Sequence, residues 1–205
     1  MPKRLIQERD IFHRLGDAGP TYARLSLLDA IGMREFARRS VPTEARSFVF
    51  VCHGNIMRSP MAEVMLKRAL SEYHQAGITV LSAGMHAIPG TEAHPQACVA
   101  ARELGLPLDQ HRSKQLTEEM VNNADAIFAM DFQNMAELLT RFPKSDSKLF
   151  MLSAYAEGRQ LGRPIADPYF GDQEHTSRCY AELQVCVTNL ANSLWTFTNQ
   201  GSSKE

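Results

Sequence analysis

An apolar strand that runs directly into a short polar loop and then into a helix constrains this chain more than any other feature. Residues 47–51 read Ser-Phe-Val-Phe-Val, the loop runs from Cys52 to Arg58, and residues 61–66 have good helix propensity. A loop that joins a strand end to a helix start can direct several backbone N–H groups at one anion near the positive end of the helix. The segment therefore predicts an anion-binding turn within an α/β fold.

The residues inside this loop suit a tetrahedral oxyanion and a sulfur nucleophile. Gly54 and Asn55 permit the backbone conformations that a nest of N–H groups requires. Arg58 follows Cys52 by six residues, so its planar guanidinium can reach back and bind two oxygens of the oxyanion. The same positive surroundings favour the thiolate form of Cys52. The implied intermediate is a phosphorylated cysteine.

The two residues that follow the arginine, Ser59 and Pro60, strengthen this interpretation. Ser59 can donate a hydrogen bond to the sulfur, which stabilises the sulfur both as a thiolate and as a leaving group. Pro60 suits the first turn of a helix, where a missing N–H costs nothing. The alternative is a structural cysteine at a strand end, followed by an arginine through chance. The Gly-Asn pair inside the loop and the Ser-Pro pair after it favour the phosphate-binding loop.

Strands and helices alternate from residue 47 onward, which predicts parallel pairing of the strands. We expect a doubly wound, flavodoxin-like α/β fold, with a four-stranded parallel sheet flanked by helices. Ligands bind such sheets beyond the carboxyl ends of the strands, so the loops after Ser82, Met130 and Leu152 should face the same site as Cys52. The predicted strands are 47–52, 78–82, 125–130 and 148–152, and the predicted helices are 60–75, 94–104, 117–122, 132–141 and 173–197.

The loop resembles the signature of the low-molecular-weight protein tyrosine phosphatase family, a Cys-x5-Arg-Ser-Pro segment that contains Gly-Asn and is followed closely by Met-Ala-Glu. The resemblance extends from residue 47 to about residue 197. It implies a phosphotyrosine protein phosphatase whose partner is a phosphotyrosine-containing protein. Further segments stand in the family's order, namely Ser82-Ala83-Gly84, His111-Arg112-Ser113, residues 124–130 and Asp167-Pro168-Tyr169-Phe170-Gly171.

By this resemblance, Asp167 is the general acid that protonates the leaving oxygen and later activates water. Pro168 restrains the backbone of this turn, and Gly171 lets it fold back toward the phosphate site. The alternative is an Asp-Pro turn with no chemical role. Tyr169 and Phe170 would form an aromatic wall that stacks on a substrate ring, or one of the two would only pack against the last helix.

The remaining loop residues, His53, Ile56 and Met57, complete the predicted substrate-binding set with Gly54, Asn55 and Ser59. We expect the side chain of His53 at the rim of the pocket. Met57 stands where many family members carry a second cysteine, so the protective disulfide with the nucleophile should be missing here. His111 resembles the family's loop histidine, for which we expect structural hydrogen bonding rather than catalysis.

Composition narrows the functional classes. The chain has 205 residues, 44% hydrophobic content and a formal net charge of -1, so we expect one substantial core and no nucleic-acid binding. Four cysteines without framework spacing predict a reducing cytoplasm, with Cys98, Cys179 and Cys186 in the core. No apolar run reaches membrane-spanning length. No metal-ligand spacing occurs along the chain, so we expect neither a metal nor another cofactor.

Residues 1–45 precede the predicted catalytic domain, residues 46–199, and residues 200–205 form a predicted flexible tail. Two amphipathic helices, 5–15 and 22–38, should flank residues 16–20. Their apolar stripes predict packing on the core or on a second copy of the chain as a homodimer. Nearby arginines leave open an acidic partner or membrane lipid. The two stripes are Leu5, Phe12 and Leu15, then Leu25, Leu28, Ile31 and Phe36; the arginines are Arg34, Arg38, Arg39 and Arg46.

Two other functions compete with phosphatase activity. Arsenate reduction by the related thioredoxin-linked enzymes uses the same fold and loop but needs a relay of further cysteines, and residues 109–148 contain none. A non-catalytic phosphate-binding module would be expected to lose Cys52 or Asp167, and both are present. Phosphatase activity is therefore the leading prediction.

Overall fold

A computed structural model describes residues 16–32, 39–73 and 77–201 of the chain, with side chains described as far as Leu194. Its centre is a four-stranded sheet with the order β2-β1-β3-β4, in which every pairing is parallel. In the register of the sheet, Phe50 pairs with Ser82 on one side and with Phe128 on the other. The strands are β1 Ser47–Cys52, β2 Thr79–Gly84, β3 Ala126–Ala129 and β4 Leu149–Met151.

Helices connect the strands in sequence, because parallel strands cannot be joined by a tight turn. The flavodoxin-like prediction is confirmed. The predicted bounds of β1 and of the helix at 132–141 match the structure, and most other ends differ by one to three residues. The helices are α1 Gly19–Ala30, α2 Arg58–Glu72, α3 Pro95–Glu103, α4 Glu118–Asn123, α5 Phe132–Arg141 and α6 Gln173–Gly201.

Alternate residues of the strands supply two separate cores, one on each face of the sheet. Phe48, Phe50 and Phe128 project toward the face covered by α2, α3 and α6. Val49 and Ile127 project toward the other face, which α4 and α5 cover. Burial of both faces is the usual condition of a parallel sheet and explains why the strands are almost entirely apolar.

The N-terminal segment joins the second core. Helix α1 packs against α5, and Ala18 and Leu25 are buried in the same cluster as the sheet residues. The second predicted apolar stripe, Leu25, Leu28, Ile31 and Phe36, is wrong at Ile31, which is 61% exposed. The helix ends at Ala30, so Ile31 lies beyond it. The helix also starts earlier than predicted, since Pro20 occupies its first turn, where no N–H is needed. The first predicted helix and Phe36 lie outside the described residues.

Two further expectations concern the ends and the surface. Helix α6 continues to Gly201, beyond the predicted end at 197, and residues 202–205 lie outside the described part of the chain. Arg39 pairs with Asp146, so one arginine of the basic group contacts the core domain. Among the described residues, no helix combines the length and apolar character needed to cross a membrane.

Candidate active site

The predicted phosphate loop lies between the end of β1 and the start of α2. Cys52 is buried at the last position of β1, and Arg58 is the first residue of α2. Two groups contact the sulfur. The backbone N–H of Asn55 donates to Cys52 Sγ at 3.3 Å, and Ser59 Oγ lies 3.1 Å from the same atom. Hydrogen bonds of this kind favour a negatively charged sulfur, as the sequence predicted for Ser59.

Asn55 holds the loop in shape through its side chain and its backbone. Its Nδ2 donates to Ser59 Oγ and Ser82 Oγ, both at 2.9 Å, and its Oδ1 accepts from the backbone N–H of Lys114 at 2.8 Å. His111 Nε2 donates to the Asn55 carbonyl at 2.7 Å, which is the structural hydrogen bonding expected of this histidine. Asn55 adopts φ +54°, and among the described non-glycine residues it alone has a positive φ.

Gly84 allows β2 to lie directly against the loop. A Cβ at this position would come within 2.7 Å of the His53 carbonyl oxygen and 2.9 Å of the Asn55 nitrogen. Both neighbours are backbone atoms, so no side-chain rotation can relieve the clash. The sequence showed Gly84 only as part of a family segment, because nothing in its local pattern reveals how closely a distant loop approaches.

Arg58 joins the nucleophile loop to two acidic residues. The residue is 1% exposed. Its Nη1 donates to Asp131 Oδ2 at 2.6 Å and to the Ile165 carbonyl at 3.0 Å. Its Nη2 donates to Asp167 Oδ2 at 2.5 Å. Burial opposes the charge of Arg58, but Asp131 and Asp167 outweigh it and raise the pKa above its ordinary value. Within the described residues, Nε–H and one Nη2–H have no protein acceptor. These two parallel donors suit two oxygens of a phosphate.

Asp131 is a site residue that the sequence analysis did not identify. It follows β3 after one intervening residue and caps α5, because its Oδ1 accepts from the backbone N–H of Asn134 at 2.7 Å. Its second oxygen contacts Arg58. A signal was available, since the loop after Met130 was expected to face the site and an aspartate begins it.

Asp167 lies in a loop that is far more open than the phosphate loop. Its side chain is 41% exposed, and its Oδ1 accepts from the backbone N–H of Tyr169 at 3.2 Å. Phe170 is 82% exposed, and its ring meets the Tyr169 ring edge-on with 4.9 Å between the ring centroids. The alternative prediction, that this residue only packs against the last helix, is therefore wrong for Phe170. Tyr169 also contacts the His94 ring at 5.5 Å. The loop therefore offers an aromatic surface next to a partly exposed carboxyl.

The other predicted substrate-binding residues differ in where their side chains point. Ile56 is half-buried, and Gly54 lies partly exposed in the loop. Met57 is buried in the core, and its carbonyl accepts from Tyr180 Oη at 3.1 Å. The turn into α2 directs this side chain inward, so the predicted contact of Met57 with substrate stays a prediction for its backbone N–H. His53 is partly exposed at the loop surface and lies 4.7 Å from the His86 ring.

The remaining cysteines occupy positions consistent with core residues. Cys179 and Cys186 are buried in α6, and burial raises the pKa of each thiol to about 12. Cys98 on α3 is half-buried and burial raises its pKa as well. Burial therefore favours the protonated form of these three thiols.

Comparison with known proteins places this geometry in context. The sequence model described as low molecular weight phosphotyrosine protein phosphatase matches residues 47–199. The protein-arginine-phosphatase of Bacillus subtilis is 34% identical over 146 residues, which cover 71% of this chain and 95% of that protein. The low molecular weight protein-tyrosine-phosphatase Etp of Escherichia coli K12 is 32% identical over 148 residues, 72% of this chain and 94% of that protein.

A solved structure bears on the chemistry of the loop. The YwlE arginine phosphatase, in a variant whose active-site cysteine is replaced by a phosphorylated serine, is 32% identical to this chain. The match covers 72% of this chain and 95% of that one, with a TM-score of 0.66. In that protein the residue at the nucleophile position carries the phosphoryl group.

Proposed function

The chain belongs to the low molecular weight phosphotyrosine protein phosphatase family and is a hydrolase of phosphoproteins, and we propose that it cleaves phosphotyrosine through a phosphocysteine on Cys52. One observation carries this proposal above the others. Arg58 ends the loop that begins at Cys52, and its buried side chain contacts Asp167, so the predicted nucleophile and the predicted acid are linked through one residue.

In the first step, the Cys52 thiolate attacks phosphorus while the bond from phosphorus to the ester oxygen breaks. Asp167 gives its proton to the leaving oxygen, which prevents the release of an unstable phenoxide. The free Nε–H and Nη2–H of Arg58, with the loop N–H groups, bind the equatorial oxygens and stabilise their charge.

In the second step, Asp167 accepts a proton from water as that water attacks the phosphocysteine. The sulfur–phosphorus bond breaks, inorganic phosphate leaves, and Ser59 stabilises the thiolate that forms. One carboxyl serves as acid and then as base, and a partly exposed position suits both tasks because leaving group and water must each reach it.

The exposed ring of Phe170 beside Tyr169 supports a phenolic substrate, because an aromatic surface can stack on a phenyl ring. Phosphoarginine is the competing substrate, since relatives of comparable similarity act on it. Arsenate reduction is not favoured, because Cys179 and Cys186 are buried with raised pKa values. A cytoplasmic location and a homodimer formed through residues 1–45 belong to the same proposal, and the four cysteines are free, as a reducing compartment requires.

The test compares two aryl phosphates, p-nitrophenyl phosphate and phenyl phosphate, in the full-length protein. Cys52→Ser should reduce kcat by at least about 10⁴-fold with both substrates. Asp167→Asn should reduce kcat by about 10²- to 10⁴-fold, and more for phenyl phosphate, whose poorer leaving group needs the proton more. Asp172→Asn, a change to an exposed aspartate five residues away, is the matched control and should retain activity.

Substrate choice is decided with one peptide that carries phosphotyrosine or phosphoarginine at the same position. The proposal requires the higher kcat/KM for phosphotyrosine. Preference for phosphoarginine overturns the substrate assignment, and robust arsenate reduction with thioredoxin, or no turnover at all, overturns the proposed activity.

A further inference from the structure

Three metal-ligating side chains meet beside the phosphate loop although they are far apart in the sequence. His53 follows the nucleophile, His86 follows β2, and Glu137 lies in α5. One ligand atom from each side chain lies within 4.8 Å of the other two. We propose that His53, His86 and Glu137 form a binding site for a divalent transition metal, with zinc as the preferred ion, at the rim of the loop.

The geometry needs only small side-chain movements to hold zinc. His86 Nε2 lies 2.6 Å from Glu137 Oε2, and the His53 ring is 4.7 Å from the His86 ring with 33° between their planes. Ligand atoms at about 2.1 Å from a tetrahedral zinc are about 3.4 Å apart. The ion would take the place of the hydrogen bond between His86 and Glu137, and rotation of the His53 ring would bring its nitrogen closer.

The carboxylate is fixed in a way that suits a ligand. The Glu137 side chain is 7% exposed, and its Oε1 accepts from Gln133 Nε2 at 3.1 Å, which leaves Oε2 directed at His86. A neighbouring donor that orients a carboxylate is the usual support of a metal ligand. The buried negative charge also favours a cation, since burial of a lone carboxylate is unfavourable.

The imidazoles are also suitably placed. Each ring offers one nitrogen that lies within 4.8 Å of the other two ligand atoms. The His86 side chain is 48% exposed, which leaves the fourth coordination position open to water. Two imidazoles and one carboxylate match the ligand preference of zinc and exclude magnesium, which prefers oxygen ligands.

The sequence analysis expected no metal because it considered spacing along the chain. The three donors are separated by 33 and 51 residues, and only the parallel pairing of β1 with β2 and the position of α5 bring them together. Because the site includes the residue next to Cys52, a bound ion ties the loop to β2 and α5. Zinc should therefore raise the melting temperature of the protein.

The test is isothermal titration calorimetry of the tag-free, full-length protein with zinc chloride, in a buffer without phosphate or thiols. We expect one zinc per chain. His86→Ala and Glu137→Gln should each weaken binding by at least about 10-fold. His175→Ala is the matched control, because His175 Nδ1 also lies 2.6 Å from a carboxylate, Asp172, but belongs to no three-ligand cluster among the described residues. This control should bind zinc like the unchanged protein.

A thiolate also binds zinc, so Cys52→Ser separates the two sites. The proposal requires that Cys52→Ser keeps zinc affinity within about threefold of the unchanged protein. Binding that disappears in Cys52→Ser but survives in His86→Ala overturns it, as does the absence of binding at about 100 µM zinc. Circular dichroism checks folding, and the isosteric Glu137→Gln variant decides the matter if His86→Ala is unstable. The readout is binding, so it is independent of the proposed phosphatase activity.

Discussion

The phosphate loop and the Asp167 loop form two halves of one site, yet they differ in almost every physical property. In the phosphate loop and the first turn of α2, Asn55 and Ser59 are fully buried and hydrogen-bonded to β2. In the other loop, Asp167 is 41% exposed and Phe170 is 82% exposed. The half that we propose binds the oxyanion is preorganised, while the half that we propose handles protons is open to solvent.

This difference suits the task that we propose for each half. Oxyanion donors stabilise charge best when they need no rearrangement, so their positions are set by hydrogen bonds in advance. A residue that protonates a leaving group and then deprotonates water must exchange partners during each cycle. Arg58 reflects both needs, because it contacts the more buried Asp131 and the more exposed Asp167. Asp131 can hold the guanidinium when Asp167 turns to the substrate.

The strongest test of the preorganised half is Arg58→Lys. Lysine keeps the charge but has one nitrogen, so it cannot contact Asp131 and also offer two parallel donors to phosphate. We expect kcat/KM for p-nitrophenyl phosphate to fall by about 10³-fold. Arg68→Lys on the same helix, which changes an exposed arginine, is the control. A loss below tenfold would show that charge alone suffices and that the fork geometry is unimportant.

The next test separates the two tasks of Asn55. Asn55→Gly keeps the positive φ but removes the side-chain bonds to Ser59, Ser82 and Lys114, and should lower the free energy of unfolding by about 2 kcal/mol. Asn55→Ala adds the strain of a left-handed backbone and should lose about 1 kcal/mol more. Urea unfolding measures both. Equal stability of the two variants would mean that the loop relaxes away from φ +54°.

Much of the fold was predictable because its signals are local. The bounds of β1 follow from an apolar run that ends at a polar loop, and α5 starts where Asp131 provides a cap and ends before Pro143. The phosphate loop was predictable for the same reason, because Cys52 and Arg58 are only six residues apart in the sequence. Asp167 required the family resemblance, because an Asp-Pro pair alone is most often a turn.

The rest depends on contacts between distant segments. Asp131 has a sufficient local role as a helix cap, which conceals its bond to Arg58. Gly84 looks like any glycine at a strand end until the loop backbone lies against it. His86 and Glu137 carry no pattern along the chain, and their approach to each other is a product of the sheet order. Sequence reasoning fails here because register and crossover geometry set these distances.

A smaller effect is expected in the open half. Phe170→Ala removes an exposed ring that contacts only Tyr169 among the described aromatic side chains, so stability should not change. KM for an aryl phosphate should rise by about 3- to 10-fold with kcat retained, which corresponds to the loss of one ring stacking contact. Ile31→Ala, at an exposed apolar residue just after α1, is the control. A fall in kcat with unchanged KM would instead assign Phe170 to the positioning of Asp167.

The smallest effect concerns pH and again separates the halves. Burial lowers the pKa of His111, which donates from Nε2 to the carbonyl of Asn55 in the preorganised loop. Because the folded state disfavours the charged ring, the stabilisation is complete above the unfolded pKa of about 6.5 and declines as the pH falls toward the folded value. The melting temperature of the unchanged protein should therefore drop between pH 7.5 and pH 5.5. This drop should exceed the drop of the His111→Gln variant by no more than about a few degrees. The His175→Gln variant, altered at an exposed histidine near the Asp167 loop, should keep the full pH dependence. Equal slopes for His111→Gln and the unchanged protein would exclude His111 as the source.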